Sequence, residues 1–287
     1  MKKKIIFITA ITIIAMLGVL TAIKMKKTNA KQNSLEKITS KGTFILGLDD
    51  SFPPMGFRNE NNEIVGFDID VAKEVCKRLN VELVIQPISW NAKEQELNSG
   101  NIDCIWNGMS ITEERKQAML LSDSYMKNRM VFITKQDSNL KTLEDLKNKK
   151  VGVQSGSSAE QILEESETYK TLNQTVAYAD NITAFMDLET NQIDAVFVDE
   201  VLANYYIATN NKNYNQIEQA LEEEQYAIGF RKQDNELCNR VNEILKETID
   251  KIQCAANVKG FIFGINTGFD ELNNLIGGWQ NGQLIVI

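Results

Sequence analysis

The sequence predicts an α/β fold, because short runs rich in β-branched residues alternate with longer helical stretches along most of its 287 residues. In both halves of the chain a strand-like run is followed by a polar loop that opens into a helical stretch. Open α/β sheets bind ligands at such loops, at the carboxyl ends of strands. The length lies between that of one domain and that of two, so the chain can bury a large core.

Each element is predicted from its own pattern, and no repeat of fixed period is present. Strands are expected at residues 44–48, 82–86, 103–106, 130–133, 150–153 and 195–198. Helices are expected at residues 70–79, 112–120, 158–165, 183–190 and 236–249. The clearest helix start is Thr112, an N-cap hydroxyl followed by Glu113 and Glu114, whose charges suit the positive end of the helix dipole.

Charge and composition exclude several classes of function. The net charge is −8 and the sequence has no histidine, so a nucleic-acid partner is not expected, and chemistry that depends on histidine, including histidine ligation of zinc, is excluded. We expect neither a metal nor a cofactor. The four cysteines form no C-x-x-C pair and are interpreted as small buried side chains: Cys76, Cys104, Cys238 and Cys254.

The N-terminus carries an uninterrupted apolar run at residues 5–23, flanked on both sides by lysines. About twenty apolar residues are long enough to span a bilayer. We therefore expect residues 1–30 to be an export signal or an uncleaved membrane anchor that holds an extracytoplasmic domain at the cell surface. Cleavage after Ala30 is the alternative.

Residues 107–115 read Asn-Gly-Met-Ser-Ile-Thr-Glu-Glu-Arg and follow an apolar run. The loop places a hydroxyl, a glycine and an arginine together. Arg115 can take a carboxylate bidentately, and the free N–H groups of a turn that opens into a helix add further donors. The pattern predicts a carboxylate-binding corner. The alternative is an ordinary helix start with a surface arginine.

Several motifs in one order carry a family resemblance. They are the runs at residues 49–54 (Asp-Asp-Ser-Phe-Pro-Pro), 66–72 (Gly-Phe-Asp-Ile-Asp-Val-Ala), 110–115, 151–158 (Val-Gly-Val-Gln-Ser-Gly-Ser-Ser) and 193–200 (Ile-Asp-Ala-Val-Phe-Val-Asp-Glu). Together they resemble the amino-acid-binding solute-binding proteins of ABC importers, over roughly residues 35–250.

The resemblance implies a two-lobed periplasmic-binding-protein clamshell with two hinge crossings. We place the crossings near residues 127–134 and 226–231. Lobe one is then formed by residues 35–128 plus 226–250, and lobe two by residues 135–222.

The resemblance also implies roles for individual residues. Arg115, Ser110 and Ser158 would hold the ligand carboxylate, and Asp199 the α-ammonium group with help from the Gly108 carbonyl. The remaining implied contacts are Phe52 and Trp90 around the ligand side chain, Asp49 against a side-chain ammonium group, and Gln154 and Ser157 on the second lobe. Asp49 favours a polar or basic amino acid. By themselves, Asp199 would be a helix-capping residue, and Phe52 and Trp90 core residues.

The implied function is extracytoplasmic binding of a free amino acid by hinge closure and its delivery to the permease of an ABC importer. Catalysis is not expected, because Ser110 and Ser157 have no histidine to activate them. The alternatives are a ligand-sensing receptor module built on the same clamshell and a non-functional fusion or truncation product.

Residues 251–287 depart from the family and are predicted to be a foreign tail. From Gly264 onward they resemble the start of the motor domain of replicative DNA helicases, with Asn273 where that pattern has aspartate. No Walker A sequence, G-x-x-x-x-G-K-[ST], is present, so no ATPase activity is expected. We expect the tail to be loosely ordered, because residues 284–287 would be a strand without its sheet.

Overall fold

The computed structural model describes residues 33–210, 213–217 and 223–257. The strands are β1 (Thr43–Leu48), β2 (Ser51–Phe52), β3 (Gly56–Arg58), β4 (Ile64–Val65), β5 (Glu82–Pro87), β6 (Cys104–Ser110), β7 (Leu120–Leu121), β8 (Met126–Lys135), β9 (Lys150–Gln154), β10 (Gln174–Tyr178), β11 (Ala195–Asp199), β12 (Tyr214–Ile217) and β13 (Glu223–Phe230). The helices are α1 (Ser34–Lys41), α2 (Phe67–Leu79), α3 (Lys93–Ser99), α4 (Glu113–Ala118), α5 (Ser158–Glu165), α6 (Asn181–Glu189), α7 (Glu200–Asn210) and α8 (Asn235–Asn257).

Within the described residues, ten strands form one sheet in the order β10-β9-β11-β8-β13-β6-β1-β5, with β12 beside β8 and β7 beside β13. Strand β1 pairs in parallel with β5 and β6, and β9 pairs in parallel with β10 and β11. The two parallel halves are joined through β8 and β13, which pair antiparallel with each other. This confirms the two-lobed α/β clamshell with two hinge crossings.

Strand β8 pairs with strands of the second half as well as with β13, whereas β13 pairs with β8 and with strands of the first half. In β8, residues 126–129 pair with β13, whereas residues 130–134 pair with β11. In β13, residues 223–226 pair with β8, and the residues from Tyr226 onward pair with β6. The second crossing therefore begins before the residues 226–231 at which the sequence places it. The bounds of the two lobes stay a prediction.

Helix α2 begins at Phe67, earlier than the predicted residue 70, because a glycine turn starts it. Gly66 has φ 138° and precedes the helix. The N–H of Phe67 donates to the carbonyl of Pro54 at 2.9 Å, and the N–H of Asp68 donates to the carbonyl of Met55 at 3.0 Å. These bonds fix the first turn of α2 against the chain that follows β2.

Gly66→Ala is expected to destabilise the fold. A Cβ at this position would lie 2.3 Å from the carbonyl oxygen of Met55, and φ is in the region that L side chains avoid. We expect the free energy of unfolding to fall by about 2–4 kcal/mol in urea denaturation. Gly42→Ala is the control, because Gly42 has φ 77° but nothing within 4 Å of the added Cβ, so only about 1–2 kcal/mol should be lost. Equal losses in both variants would contradict the steric argument.

Several element ends differ from the prediction. Helix α4 ends at Ala118 because Met119 is extended and the next two residues pair with β13 as β7, so the predicted end at residue 120 is wrong. Helix α6 begins at Asn181, after the N-cap Asp180. Helix α8 continues to Asn257, past both the predicted helix end at residue 249 and the predicted start of the tail at residue 251.

Three of the four cysteines are buried, as the sequence predicts. Cys76, Cys104 and Cys238 are buried thiols, but Cys254 is exposed on α8, so its predicted burial is wrong.

Across residues 33–210, 213–217 and 223–257, no helix combines the length and the apolar character needed to cross a bilayer. The predicted anchor at residues 5–23 and residues 258–287 of the predicted tail lie outside the described part of the chain.

Candidate ligand-binding site

A small cavity lies between the two lobes. The structure brings all ten residues predicted for the site to its wall, together with Asn107. The ten are Asp49, Phe52, Trp90, Gly108, Ser110, Arg115, Gln154, Ser157, Ser158 and Asp199. Their contacts with a ligand stay a prediction.

The first lobe contributes an arginine that is held by its own helix start. Thr112 caps α4 by accepting a hydrogen bond from the N–H of Arg115 at 3.1 Å, as the sequence predicts. The guanidinium donates through Nη1 to the carbonyl of Ser110 at 2.7 Å and is only 6% exposed. Burial lowers the pKa of Arg115, but a guanidinium stays charged in proteins. Its other N–H groups can therefore meet an anion in the cavity.

Gly108 lets the backbone of β6 pass close to an aromatic ring. It has φ +56°, and a Cβ here would lie 2.8 Å from the ring of Phe52. Its N–H donates to Oδ2 of Asp68 at 2.7 Å. Asp68 is fully buried, and burial raises the pKa of its carboxyl group to about 7. Asp68, which does not line the cavity, therefore holds the backbone of Gly108 in place.

The second lobe contributes the start of α5. Ser157 is the N-cap of this helix, accepting a hydrogen bond from the N–H of Glu160 at 3.2 Å and donating to the carbonyl of Gln154 at 2.7 Å. Ser158 follows in the first turn, where backbone N–H groups have no partner within the helix. A helix N-terminus of this kind favours an anion such as a carboxylate.

Hydrogen bonds connect the lobes across the cavity and its rim. The hydroxyl of Ser158 donates to Ser110 Oγ at 3.0 Å, and Lys93 Nζ donates to the carbonyl of Gly156 at 2.9 Å. Lys93 also lies 5.2 Å from the ring centroid of Trp90, and burial followed by the charge of Arg115 lowers its pKa to about 8. These contacts show the two lobes in a closed arrangement.

An acidic group lies where the two hinge strands meet the second lobe. Asp199, at the end of β11, accepts hydrogen bonds from Asn128 Nδ2 at 2.8 Å and from the hydroxyl of Tyr226 at 2.6 Å. Burial, and then the neighbouring charge of Glu224, raise the pKa of Asp199 to about 7. Burial also raises the pKa of Glu224. A cation in the cavity would relieve this crowding of negative charge.

A second acid, Asp49, lies on the wall after β1. Its Oδ2 accepts a hydrogen bond from Gln154 Nε2 at 2.6 Å, which again joins the lobes, and its Oδ1 accepts one from the N–H of Ser51 at 2.9 Å. Asn181 in turn donates to Gln154 Oε1 at 3.1 Å and so fixes the direction of the amide. Burial raises the pKa of Asp49 to about 6.

Sequence reasoning missed the polar residues of the hinge strands. Asn128 on β8, and Glu224 and Tyr226 on β13, are all buried. Asn128 donates to both Asp199 and Glu224, and the hydroxyl of Tyr226 donates to Asp199. The available signal was the alternation along β13, in which Glu224 and Tyr226 share a face. Within the described residues, no three acidic or cysteine side chains cluster in a way that could hold a metal ion.

The wall is therefore polarised. Arg115 and the start of α5 supply positive potential, Asp199 and Asp49 supply negative potential, and Phe52 and Trp90 supply flat apolar surface. This pattern is complementary to a small zwitterion that carries a further polar or cationic group.

Known proteins share both the sequence pattern and the fold. The family model of the bacterial extracellular solute-binding proteins, family 3, matches residues 44–262. The chain is 29% identical over 223 residues to the L-cystine-binding protein TcyJ of Escherichia coli, covering 77% of this chain and 83% of that protein.

Two solved structures show similar folds. A substrate-binding protein of an ABC uptake transporter from Streptococcus pneumoniae with bound histidine superposes with a TM-score of 0.73 at 35% identity, covering 76% of this chain and 92% of that one. The arginine-bound form of a truncated ArgBP from T. maritima gives a TM-score of 0.69 at 36% identity, covering 74% of this chain and 99% of that one. With the fold and the site, these matches assign the chain: it belongs to family 3 of the bacterial extracellular solute-binding proteins.

Proposed function

We propose that this protein binds a free amino acid outside the cytoplasm and delivers it to the permease of an ABC importer. The observation that carries the proposal is the polarised cavity, which is lined by Arg115 from the first lobe and by Asp199 at the end of β11. An α-carboxylate needs donors and an α-ammonium group needs acceptors, and the two residues provide them in a buried setting where charge-assisted bonds are strong.

The ligand is a polar or basic amino acid, and a cationic side chain fits best. Asp49 and Asp199 bring two acids to the wall against the single cation Arg115 among the described residues that line it. The rings of Phe52 and Trp90 offer faces on which a guanidinium or imidazole group can stack. Relatives named for binding arginine, histidine and cystine support this class, because each of these ligands carries a second basic group or a second amino group.

Ligand binding works by closing the hinge. The bonds from Gln154 to Asp49 and from Ser158 to Ser110 form only when the lobes are together. A ligand that contacts both lobes adds to these bonds and shifts the population toward the closed form. The transporter then recognises that form.

The family and the N-terminal segment support an extracytoplasmic location. Residues 1–30 act as an export signal or as an uncleaved anchor, which keeps the binding domain at the outer surface of the membrane. The protein binds its ligand without converting it. In support of that, relatives such as TcyJ and the arginine-binding and histidine-binding proteins of Escherichia coli are named as binding proteins.

Thermal unfolding of the purified full chain with each of the free amino acids tests the proposal. A ligand at about 100 times its Kd should stabilise the protein by roughly 2.7 kcal/mol. We expect this stabilisation with arginine, lysine, histidine or cystine. Stabilisation by acidic amino acids alone, or by no amino acid in a folded sample, would contradict the proposal.

Asp49→Asn is expected to weaken the binding of cationic amino acids more than the binding of neutral ones. Removing the charge should weaken binding of a cationic amino acid by about tenfold or more, because a charge-assisted hydrogen bond is lost. A neutral amino acid should be affected by less than about threefold, measured by calorimetric titration. Asp50→Asn is the matched control, because Asp50 is bonded to Arg58 and does not line the cavity.

A further inference from the structure

A contact between the lobes lies at the rim of the cavity, where the turn before α3 on the first lobe meets the loop between β9 and α5 on the second. Lys93 Nζ donates to the carbonyl of Gly156 at 2.9 Å, and Asn91 Nδ2 donates to Ser155 Oγ at 3.2 Å. None of these four residues lines the cavity. They can therefore affect ligand binding through closure of the lobes without touching the ligand.

The two segments approach each other most closely at Gly156. This residue has φ +71°, and a Cβ added to it would lie 2.4 Å from Oδ1 and 3.3 Å from Cα of Asn91. Only a residue without a side chain lets the loop come this near to Asn91. Backbone packing thus brings the Gly156 carbonyl to Lys93, and it does so only when the lobes are closed.

Closure places the ammonium group of Lys93 in a buried position without a counter-charge in contact with it. Lys93 is 6% exposed, and its Nζ lies 5.2 Å from the ring centroid of Trp90. Within the described residues, its hydrogen bond goes to a carbonyl, and no carboxylate forms an ion pair with it. Burying an ammonium group in this way costs free energy, because the carbonyl and the ring replace the lost water only in part.

The charged groups around Lys93 lie on three helices and do not cancel this cost. Arg115 on α4 repels the ammonium group. Three carboxylates attract it: those of Glu94 on α3, Glu114 on α4 and Glu160 on α5. Burial, followed by the charge of Arg115, outweighs them and lowers the pKa of Lys93 to about 8. When the lobes part, water reaches the ammonium group and its pKa returns toward the ordinary value of about 10.4.

We propose that Lys93 opposes closure of the lobes and so keeps the ligand-free protein open, because its charge must be buried each time the two rims meet. This rests on the proposed function, in which ligand binding supplies the free energy of closing. The ammonium group holds its proton less tightly in the closed form than in the open form. Closure is therefore strengthened as the pH rises from about 8 to about 10.4, and below about 7 Lys93 stays charged in both forms.

Lys93→Gln removes the charge and keeps a donor for the Gly156 carbonyl. We expect calorimetric titration at pH 7 with the best amino acid of the panel to give an affinity at least about fivefold tighter than that of the wild type, because closing no longer buries a charge. This gain should shrink at least about threefold at pH 10, where wild-type Lys93 can lose its proton on closing. Titration of the ligand itself affects both proteins equally and cancels in the ratio of their affinities.

Two further variants separate the charge of Lys93 from the packing of its side chain. Lys93→Arg carries a charge that it cannot lose, so its affinity should not exceed that of the wild type at pH 7. Its affinity relative to that of Lys93→Gln should also stay the same between pH 7 and pH 10. Lys73→Gln is the matched control, because Lys73 is an exposed lysine on α2 that pairs with Asp70, and its affinity should stay within about twofold of the wild type.

Each result decides a different point. Wild-type protein that binds no amino acid overturns the proposed function and this inference with it. Wild-type protein that binds, with a gain in Lys93→Gln of less than about fivefold at pH 7, overturns the inference alone. A gain that shrinks by less than about threefold at pH 10 also overturns it, because the gain would then come from packing and not from charge. If Lys93→Gln does not fold, Lys93→Met replaces it with the same expected results.

Discussion

Arg115→Ala is expected to weaken amino-acid binding by about 30-fold to 5,000-fold, which corresponds to the roughly 2–5 kcal/mol lost when one partner of a buried charge pair is truncated. Among the described residues that line the cavity, Arg115 is the one cation. Its removal leaves the ligand carboxylate buried without a counter-charge, and the start of α5 supplies only partial positive charge in its place.

Calorimetric titration of three variants checks this expectation. Arg115→Lys keeps the charge but loses the planar fork, so its affinity should lie between those of the wild type and the alanine variant. Lys116→Ala is the matched control, because Lys116 is exposed and pairs with Glu113 on the surface. An Arg115→Ala affinity within about threefold of the wild type would show that the carboxylate is held elsewhere.

The ten predicted wall residues were named through the family resemblance, and only some of them also belong to a local signal. Ser110 and Arg115 flank the N-cap Thr112, and Ser157 and Ser158 open α5 after the glycine turn. A strand followed by a helix N-cap can be recognised from a few consecutive residues. The α/β fold then brings such loops together at the carboxyl ends of the strands. The local pattern at residues 107–115 was enough to place Ser110 and Arg115 at one corner, whereas Ser157 and Ser158 were assigned to the site by the resemblance.

The residues behind the wall could not be predicted in the same way. Glu224 and Asn128 lie on strands whose polar residues read as ordinary solvent-facing positions. Their burial follows from the pairing of Glu224 with Asn128 across the crossing strands, a contact between positions far apart in the chain. Lys93 is a similar case, since lysine is rarely buried and its acceptor, the Gly156 carbonyl, lies on the other lobe.

Element ends were missed where tertiary pairing overrides local propensity. Met119 and Leu120 continue the apolar helical pattern of α4, but the pairing of β7 with β13 draws them into extended structure. The small sheet of β2, β3 and β4 was not predicted at all. Strands of two or three residues are too short to show an alternating pattern.

Ligand binding near neutral pH is expected to release a proton and to weaken as the pH falls through about 7. Asp199 has a raised pKa of about 7 because it is buried beside Glu224, so it is partly protonated in the free site at that pH. An ammonium group held against Asp199 favours the charged form and lowers this pKa. Binding is therefore strongest above pH 7, where the carboxyl group is already ionised, and below it each binding event must displace a proton.

Asp199→Asn should abolish most of the proton release and of the pH dependence of binding. It should also weaken binding by about 30-fold or more, because the amide cannot supply the negative charge. Titrations in two buffers with different ionisation enthalpies count the protons released. Glu200→Gln is the matched control: the bond from Arg129 lowers the pKa of Glu200, so that group holds no proton at neutral pH.

The number of protons released on ligand binding should vary with pH according to the pKa values of the ionisable side chains at the site. Asp49, with a pKa of about 6, adds a second release at lower pH when the ligand is cationic, and Lys93, with a pKa of about 8, acts only at higher pH. A count that peaks near pH 7 and disappears in Asp199→Asn assigns the proton to the pair of Asp199 and Glu224, because removing the charge of Asp199 also lowers the pKa of Glu224. A count of zero at pH 7 in the wild type would mean that Asp199 is ionised before the ligand arrives, and any loss of affinity in acid would then belong to Asp49.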